Sequence, residues 1–434
     1  MSTTAPTGEP QHATLSRRVI AVLAVACGVC VANVYYAQPI SPLFAAAFGI
    51  STSTAAVVPT VSQLGYAAGL FLLVPLGDRI RSRPLVLTLL ALTAAGLVAA
   101  GTASGLAVLT VAVAAVGITT IVPQILLPMA AGMVEPERRG AVSGTLLSGL
   151  LGGILLARTF SATLGGWLGW RAPFLISAGL TLVLGVVLFR LLPDSTPTSR
   201  EHYGALLAAP LRLLAAEPAL RRSCLNQALM FGAFSAAWTT VALLLTGPAF
   251  GLDTQAVGIL ALVGAGSVLS TPFAGRRVDR VGPEPVSVVC FAGVAASAAV
   301  LLLAGLHGAA GLILLGAGML LLDTFSQCSQ VANQARVFAL AGQARARANT
   351  AYMTSVFIGG SLGSWLGVRV YDAMGWPGIS LLVGAAGLVA LARHGLYLWA
   401  HGGATALRRR PGGQPAPHQT VPADPDAGRA PRPR

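Results

Sequence analysis

The sequence contains no lysine, and charged residues of every kind are scarce. Acidic and basic residues together form 10% of the 434 residues, whereas an average soluble protein has roughly 25%. Hydrophobic residues form 55% of the chain and the mean hydropathy is +0.74, which is more apolar surface than one water-soluble core can bury. We therefore expect the excess to face lipid. Without lysine, the chain also lacks the phosphate-binding motif of nucleotide-driven P-loop pumps.

Acidic residues are half as numerous as arginines, 14 against 28, and the net charge is +14. The arginines stand in short clusters between apolar runs and form no continuous basic face, so we do not expect nucleic-acid binding. The five cysteines lie inside or at the ends of apolar runs, and Cys27 and Cys30 form a C-x-x-C pair without a second pair or a nearby histidine. We expect neither a disulfide framework nor a metal nor a cofactor.

Twelve apolar segments are each long enough, at about 20 residues, to cross a bilayer. They run at roughly 19–41, 54–76, 84–104, 106–129, 142–165, 171–192, 223–247, 256–275, 285–306, 309–332, 349–371 and 376–400. A lipid-exposed strand or loop would leave backbone groups without hydrogen-bond partners, so each segment is predicted to be a helix. The expected fold class is an all-α membrane protein with twelve transmembrane helices.

Arginine clusters occupy alternate connections between these spans and both ends of the apolar region. The clusters are Arg17/Arg18, Arg79/Arg81/Arg83, Arg138/Arg139, Arg190 to Arg222, Arg276/Arg277/Arg280, Arg336/Arg345/Arg347 and Arg408 to Arg410. Because cytoplasmic loops carry the excess of basic residues, we predict a multi-pass protein of the cell inner membrane with both termini in the cytoplasm. Residues 1–16 and 402–434 lack apolar periodicity and are expected to be disordered tails.

Short motifs recur in the two halves of the chain. Gly77-Asp78-Arg79 is repeated as Val278-Asp279-Arg280, Arg139-Gly140-Ala141 as Arg347-Ala348-Asn349, and Gly169-Trp170 as Gly375-Trp376. The repeats predict two pseudo-symmetric six-helix halves, at 17–192 and 223–401. The connection 193–222 between them is expected to carry a helix over Ala205–Leu214 that lies on the membrane face.

The chain resembles the major facilitator superfamily of transporters over residues 17–400. The connection after span two in that family reads G-x-L-x-D-R-x-G-R-R, and here it reads Val74-Pro75-Leu76-Gly77-Asp78-Arg79-Ile80-Arg81-Ser82-Arg83, without the two family glycines. The second copy, from Gly275 to Gly282, keeps both glycines. The resemblance implies that Asp78 and Asp279, with Arg79, Arg83, Arg280 and Arg139, close a cytoplasmic gate. Alternatively, the arginines only follow the charge bias of cytoplasmic loops and the aspartates cap helices.

Polar residues interrupt spans one and four. Asn33, Tyr35, Tyr36 and Gln38 in span one and Gln124 in span four are predicted to face a cavity, and both runs resemble the bacterial branch that exports drugs, sugars and nucleosides. In the alternative interpretation, Tyr35 and Tyr36 anchor a helix end at the membrane interface. The glycine-proline motif that antiporters of this superfamily carry in span five is missing here, and only Gly144, Gly149, Gly152 and Gly153 remain for close packing.

Asp323 is the acidic residue that lies well inside a span, about twelve residues into span ten. A bare carboxylate at that depth costs at least a few kcal/mol, so it must be protonated, paired or facing water. Gln327, Gln330 and Asn333 follow it at helical spacing and are predicted to line a cavity with it. The alternative is that these amides tie span ten to its neighbours by hydrogen bonds.

Arg158, in span five, is the deeply placed arginine, at a depth similar to that of Asp323. We expect the two charges to face each other across a water-filled cavity and to be coupled, with Asp323 releasing its proton when Arg158 or a cationic substrate is near. In the competing scheme Arg158 binds an anionic group of the substrate and Asp323 acts alone. His307 and His394 lie near span ends, and we assign them no role.

These patterns predict a proton-coupled secondary transporter, not an enzyme. The expected partners are protons, the lipid bilayer and a small amphipathic substrate, and the chain is expected to act as a monomer. The resemblance favours export by alternating access, whereas a proton-coupled importer (symporter) is the first alternative. A polytopic membrane enzyme or receptor is the second, and it lacks support because the sequence has no clustered His/Asp/Glu set.

Overall fold

The structure is a computed structural model, and it describes residues 16–193, 201–305, 308–339 and 344–400. The predicted tails lie outside these residues, apart from Ser16, whose hydroxyl accepts a hydrogen bond from the Val19 amide and caps the first helix. Every regular element in the described residues is helical.

Ten helices form the first part of the chain and one lies in the central connection. They are α1 (Arg17–Ala32), α2 (Ala37–Phe48), α3 (Thr52–Ala55), α4 (Val57–Leu73), α5 (Leu76–Arg79), α6 (Ser82–Gly101), α7 (Leu106–Thr119), α8 (Val122–Gly132), α9 (Pro136–Leu168), α10 (Ala172–Leu191) and α11 (Tyr203–Ala216). The helix predicted in the connection corresponds to α11.

Six further helices follow the connection. They are α12 (Pro218–Thr246), α13 (Thr254–Ala265), α14 (Thr271–Val281), α15 (Pro283–Leu303), α16 (Gly308–Phe338) and α17 (Ala344–Ala400), with a 3₁₀ turn (Gly266–Ser270) between α13 and α14. The last helix contains two spans. Its apolar part has 56 residues, far more than the roughly 20 that cross a bilayer. Gly375, at φ 64° and ψ −156°, breaks it between the two predicted spans.

Within the described residues, eleven stretches are long and apolar enough to cross a membrane, and the division of α17 makes twelve crossings. The predicted fold class is therefore confirmed. Several crossings are interrupted: span one turns at residues 33–36, between α1 and α2, and span four turns between α7 and α8. Sequence analysis treated both as continuous.

Hydroxyl groups of neighbouring helices donate hydrogen bonds to backbone carbonyls around the turn in span one. Thr120 donates to the Cys30 carbonyl at 2.6 Å, Ser62 to Val34 at 3.0 Å and Ser161 to Tyr36 at 3.0 Å. Non-helical backbone at membrane depth is tolerated where protein groups supply the missing hydrogen bonds. Hydrogen bonds from neighbouring helices of the first half therefore stabilise the turn.

Each half has its own apolar core, and the two cores draw mainly on residues 20–192 and 230–390. Glycines at equivalent positions pack the same pair of spans in each half. Gly149 and Gly153 of α9 approach Gly28 of α1 so closely that a Cβ on any of them would collide with backbone, and Gly359 and Gly363 of α17 approach Gly232 of α12 in the same way. Small residues four apart let helix backbones touch, and their repetition matches the predicted pseudo-symmetry.

Candidate functional site

Arg158 is buried where the two halves meet. It projects from α9, its side chain is 2% exposed, and three aromatic rings surround its guanidinium. The guanidinium carbon lies 4.5 Å from the Trp238 ring centroid, 4.9 Å from that of Tyr35 and 5.2 Å from that of Phe234. Tyr35 belongs to the first half and the other two rings to α12 of the second, so both halves build this cage.

Asp323 lies at the edge of the same indole. The Trp238 Nε1 donates a hydrogen bond to Asp323 Oδ1 at 2.9 Å, and the carboxyl packs against Gly264 of α13, where a Cβ would collide with it. Asp323 is 2% exposed, so it faces neither lipid nor bulk water. Asp323 and Arg158 therefore both contact Trp238.

The two charged groups contact the same tryptophan. Arg158 lies over the face of the Trp238 ring and Asp323 lies at its indole nitrogen, and among the described residues the two charges form no ion pair. We refer to Tyr35, Gln38, Arg158, Phe234, Trp238 and Asp323 as the central cluster. Phe234 and Trp238 were not predicted, because an aromatic residue in an apolar run has the same signature whether it faces lipid or a site.

Gln38 follows the turn in span one and contacts Arg158 of this cluster. Its Oε1 accepts a hydrogen bond from Arg158 Nε at 3.2 Å. Two donors beside this bond, Arg158 Nη2 and Gln38 Nε2, are buried and have no hydrogen-bond partner in the described structure. Because buried polar groups are normally satisfied, two adjacent orphan donors indicate a place for a bound acceptor.

Asn33 and Tyr36 do not line a cavity, contrary to prediction. The Asn33 amide donates to Thr120 at 3.1 Å and accepts from Ser177 at 2.8 Å, and the Tyr36 hydroxyl lies 3.1 Å from the same Ser177. This network ties span one to its neighbours within the first half. Tyr35 and Tyr36 are not interfacial anchors either, because both are buried in the core.

The predicted polar face of α16 divides into two parts. Gln327 and Gln330 are partly exposed, whereas Asn333 is fully buried and donates to Gln227 of α12 at 3.2 Å. The Asn333 amide therefore ties α16 to α12 by a hydrogen bond within the second half, which agrees with the alternative interpretation of these amides. Gln124 is half-buried, and its amide lies 3.5 Å from the Tyr66 hydroxyl.

A polar seam joins the two halves at about the depth of the central cluster, toward the end of the bundle opposite the arginine-rich connections. Gln63 of α4 donates to Ser364 of α17 at 3.1 Å and accepts from Ser235 of α12 at 3.1 Å. Nearby, Ser361 donates to the Thr60 carbonyl at 3.2 Å. The contact Thr159 to Gly258, at 2.9 Å, joins α9 to α13 at the same end.

The gate candidates lie at the arginine-rich end. Asp78, Arg79, Arg139, Asp279 and Arg280 are exposed, and Arg83 donates to the Phe189 carbonyl at 2.6 Å. In the part of the chain that the structure describes, Asp279 and Arg280 make no ion pair. Asp279 and Arg280 of the second motif copy thus form no gate contact by ion pairing in this conformation.

Sequence analysis also missed an ionic cluster at the arginine-rich end of the second half. Glu284 of α15 forms ion pairs with Arg222 of α12 at 2.7 Å and with Arg336 of α16 at 2.9 Å. His394 of α17, for which no role was predicted, lies 3.4 Å from the same carboxylate. Glu284 therefore connects four helices. Its position at the start of an apolar run, directly after the second motif copy, was the available signal. His307 lies outside the described residues.

Comparisons with known proteins agree with this architecture. The family model of the Major Facilitator Superfamily matches residues 23–327 and 224–424. Transporter SCO4007 of Streptomyces coelicolor is 38% identical over 381 residues, which cover 88% of this chain and 87% of the relative. The uncharacterized transporter YgaY of Escherichia coli O157:H7 is 35% identical over 386 residues, with 88% and 96% covered. A chloramphenicol resistance protein of Streptomyces lividans is 32% identical over 168 residues, 38% of this chain and 42% of its own.

Two solved structures share the fold at low sequence identity. The nucleoside transporter NupG superposes with a TM-score of 0.70 at 14% identity, covering 87% of this chain and 99% of its own. A bacterial homologue of the human lysosomal transporter Spinster, in an inward-facing and occupied conformation, has a TM-score of 0.67 at 15% identity, with 94% and 100% covered.

Proposed function

Because the chain belongs to the major facilitator superfamily, we propose that it is a proton-coupled secondary transporter that carries a small amphipathic molecule across the cell membrane by alternating access. The observation that carries this proposal is the central cluster, in which residues of both halves enclose a buried cation and a buried carboxyl around one indole. Transport sites of this architecture form at the interface of the two repeats, near the bilayer midplane.

In the proposed mechanism Asp323 carries the proton. A carboxyl group inside a transmembrane helix is rarely retained unless it binds a proton, an ion or substrate. Trp238 contacts both Asp323 and Arg158, so a substrate that displaces the indole changes the surroundings of the carboxyl. Substrate binding and proton binding are thereby linked.

The proposed cycle alternates between the two ends of the bundle. The polar seam joins the two halves in this conformation, and we assign the arginine-rich end to the cytoplasm, with both termini on that side. Asp78 and Asp279, with Arg79, Arg83, Arg139 and Arg280, would close the cytoplasmic end in the other conformation. One chain contains both halves, so we propose that it acts as a monomer.

Export is the proposed direction. It is supported by the similarity to a chloramphenicol resistance protein and by the polar runs of spans one and four, which resemble those of exporters. Import together with a proton is the second candidate function. It is favoured by the two orphan donors on Arg158 and Gln38, which indicate a binding partner rich in acceptors.

Proton flux tests the proposal. Everted membrane vesicles from cells lacking their own exporters would be energised by respiration and challenged with a compound panel, while a fluorescent dye reports the internal pH. Compounds that are transported should dissipate the pH gradient with wild-type protein but not with Asp323→Asn. Asp372→Asn, which changes an exposed carboxylate on α17, should behave like wild type. Unchanged substrate-dependent proton flux in Asp323→Asn would overturn the assignment of the proton site.

A further inference from the structure

The buried cation of the central cluster has no counter-ion in direct contact. Arg158 forms no ion pair among the described residues, and its polar partner is the neutral amide of Gln38. Three aromatic rings surround it, but each cation–π contact contributes only about 0.5–2 kcal/mol. The cost of burying a charge is several kcal/mol, even after the protein relaxes. The site is therefore predisposed to bind an anion.

The free donors define where the anion would bind. The orientation of the Gln38 amide is fixed by chemistry, because a guanidinium only donates and Oε1 must face Arg158 Nε. Gln38 Nε2 and Arg158 Nη2 are then left as buried donors on two adjoining side chains. A carboxylate has two oxygens on one planar group and can accept from both donors.

We propose that the substrate carries an anionic group, in the simplest case a carboxylate, that binds Arg158 and Gln38 while its apolar body contacts Tyr35 and Phe234, and that it is transported together with one proton held by Asp323. This inference rests on the proposed proton site. It goes further because it names the substrate class and the direction of coupling.

The direction of coupling follows from charge balance. Arg158 is the charged side chain whose field acts on Asp323 among the described residues. Of the helices packed around the carboxyl, α12 presents the uncharged Trp238, and α13 presents Gly264 and contains no ionisable residue. With Asp323 ionised, the empty cluster is neutral. An added anion makes it negative unless Asp323 also takes up a proton.

Two states of the cluster are consequently favoured in a low-dielectric interior. One is empty, with Arg158 positive and Asp323 negative, and the other holds an anion with Asp323 protonated. Forms loaded with only the proton or only the anion carry an unbalanced buried charge and are disfavoured. Anion and proton therefore move in the same direction without net charge transfer, which favours the second candidate function over exchange.

Binding to the purified full-length chain in detergent tests this inference. The probes are benzoate, phenylacetate and 2-naphthoate, each compared with its primary amide, which has the same shape and no charge. We expect at least one acid to raise the thermal unfolding temperature while its amide does not. Between about pH 6 and pH 8 these acids stay ionised, so their affinity should rise as the pH falls, by up to about tenfold per pH unit for one linked proton.

Variants assign this effect to its residues. Arg158→Gln should weaken acid binding by about 10- to 100-fold, the loss expected for hydrogen bonds to a charged group. Asp323→Asn mimics the protonated carboxyl and should bind the acid at every pH with no slope. Asp372→Asn, which changes an exposed side chain outside the central cluster, serves as the control and should keep both affinity and slope. The pH dependence of acid binding is measured on the wild-type protein, so the inference can still be tested if the Arg158→Gln protein does not fold.

The inference is overturned if no acid binds better than its amide, or if affinity for the acid falls as the pH falls. Failure here remains separable from failure of the proposed function. Loss of proton flux in Asp323→Asn with no preference for acids refutes only the substrate class and the coupling direction. Acid binding with a pH slope in a protein that moves no protons, either in everted vesicles or in right-side-out vesicles given the acid outside, refutes proton-coupled transport.

Discussion

Glu284 is predicted to hold the arginine-rich end of the second half together. Its carboxylate accepts hydrogen bonds from Arg222 at 2.7 Å and from Arg336 at 3.2 and 2.9 Å, and its side chain is 17% exposed. Glu284→Gln keeps the size but removes the negative charge, so two arginines that are 12% and 5% exposed would lose their shared counter-ion.

The expected loss is large because the arginines would remain buried. Removing one partner of a buried ion pair destabilises a protein by about 3–5 kcal/mol. The amide oxygen of the new glutamine can still accept one hydrogen bond, so we expect a value near the lower end, about 3 kcal/mol. The ion pair between Arg347 and Glu201 provides the comparison. Its side chains are 36% and 48% exposed, and exposed pairs contribute about 0–1 kcal/mol.

Thermal unfolding of the purified variants in one detergent measures both losses. Glu284→Gln should unfold several degrees below wild type, and Glu201→Gln should unfold within about one degree of it. The double variant Glu284→Gln/Arg222→Gln should recover part of the loss, since one unpaired cation is removed. If the two single variants unfold at the same temperature, Glu284 does not act as a buried counter-ion and the reasoning fails.

Two further changes probe the packing within and between the halves. Gly153→Ala should destabilise the protein by about 1–3 kcal/mol, because the new Cβ would collide with the Gly28 backbone, whereas Gly144→Ala, with open space around it, should be neutral or stabilising. Equal thermal unfolding of the two would contradict the close crossing. Gln63→Ala removes hydrogen bonds to Ser364 and Ser235 across the halves, so the seam should open more often. The readout is a single cysteine introduced at Thr60 in a chain whose native cysteines are replaced. This cysteine should react faster with an impermeant maleimide when Gln63 is replaced. Gln124→Ala, whose hydrogen bond stays within the first half, is the control, and a rate unaffected by Gln63→Ala would argue against the seam.

The twelve crossings could be predicted because apolar length is a local property of the sequence. The turn in span one could not, and it decides which polar residues reach the central cluster. Helical spacing over residues 32–39 places Tyr35 and Tyr36 on adjacent faces, but the turn at 33–36 interrupts that spacing. As a result Tyr35 and Gln38 contact Arg158, while Asn33 and Tyr36 bond within the first half.

A charged residue in an apolar run is a strong signal of a special position in a membrane protein. It made Arg158 and Asp323 site candidates from the sequence alone. The indole that contacts both of them gives no such signal, because tryptophan is compatible with lipid, core and site alike. Glu284 was overlooked for a related reason. An acidic residue at a span end is expected in solvent, and only the packing of α12, α16 and α17 around it shows that its charge is buried.

The packing of the halves bears on how the central cluster would respond to alternating access. Gly28 and Gly153 hold α1 against α9, so Gln38 and Arg158 belong to one rigid half and keep their contact when the halves move. Arg158 and Trp238 belong to different halves. If the halves separate at the seam, the guanidinium moves away from the indole and from the carboxyl that the indole nitrogen contacts. In the proposed cycle, the electrostatic field that Arg158 exerts on Asp323 changes with conformation, whereas the two anion-binding donors, on Arg158 and Gln38, keep their relative position. This is the arrangement needed to tie proton release to the movement of the halves.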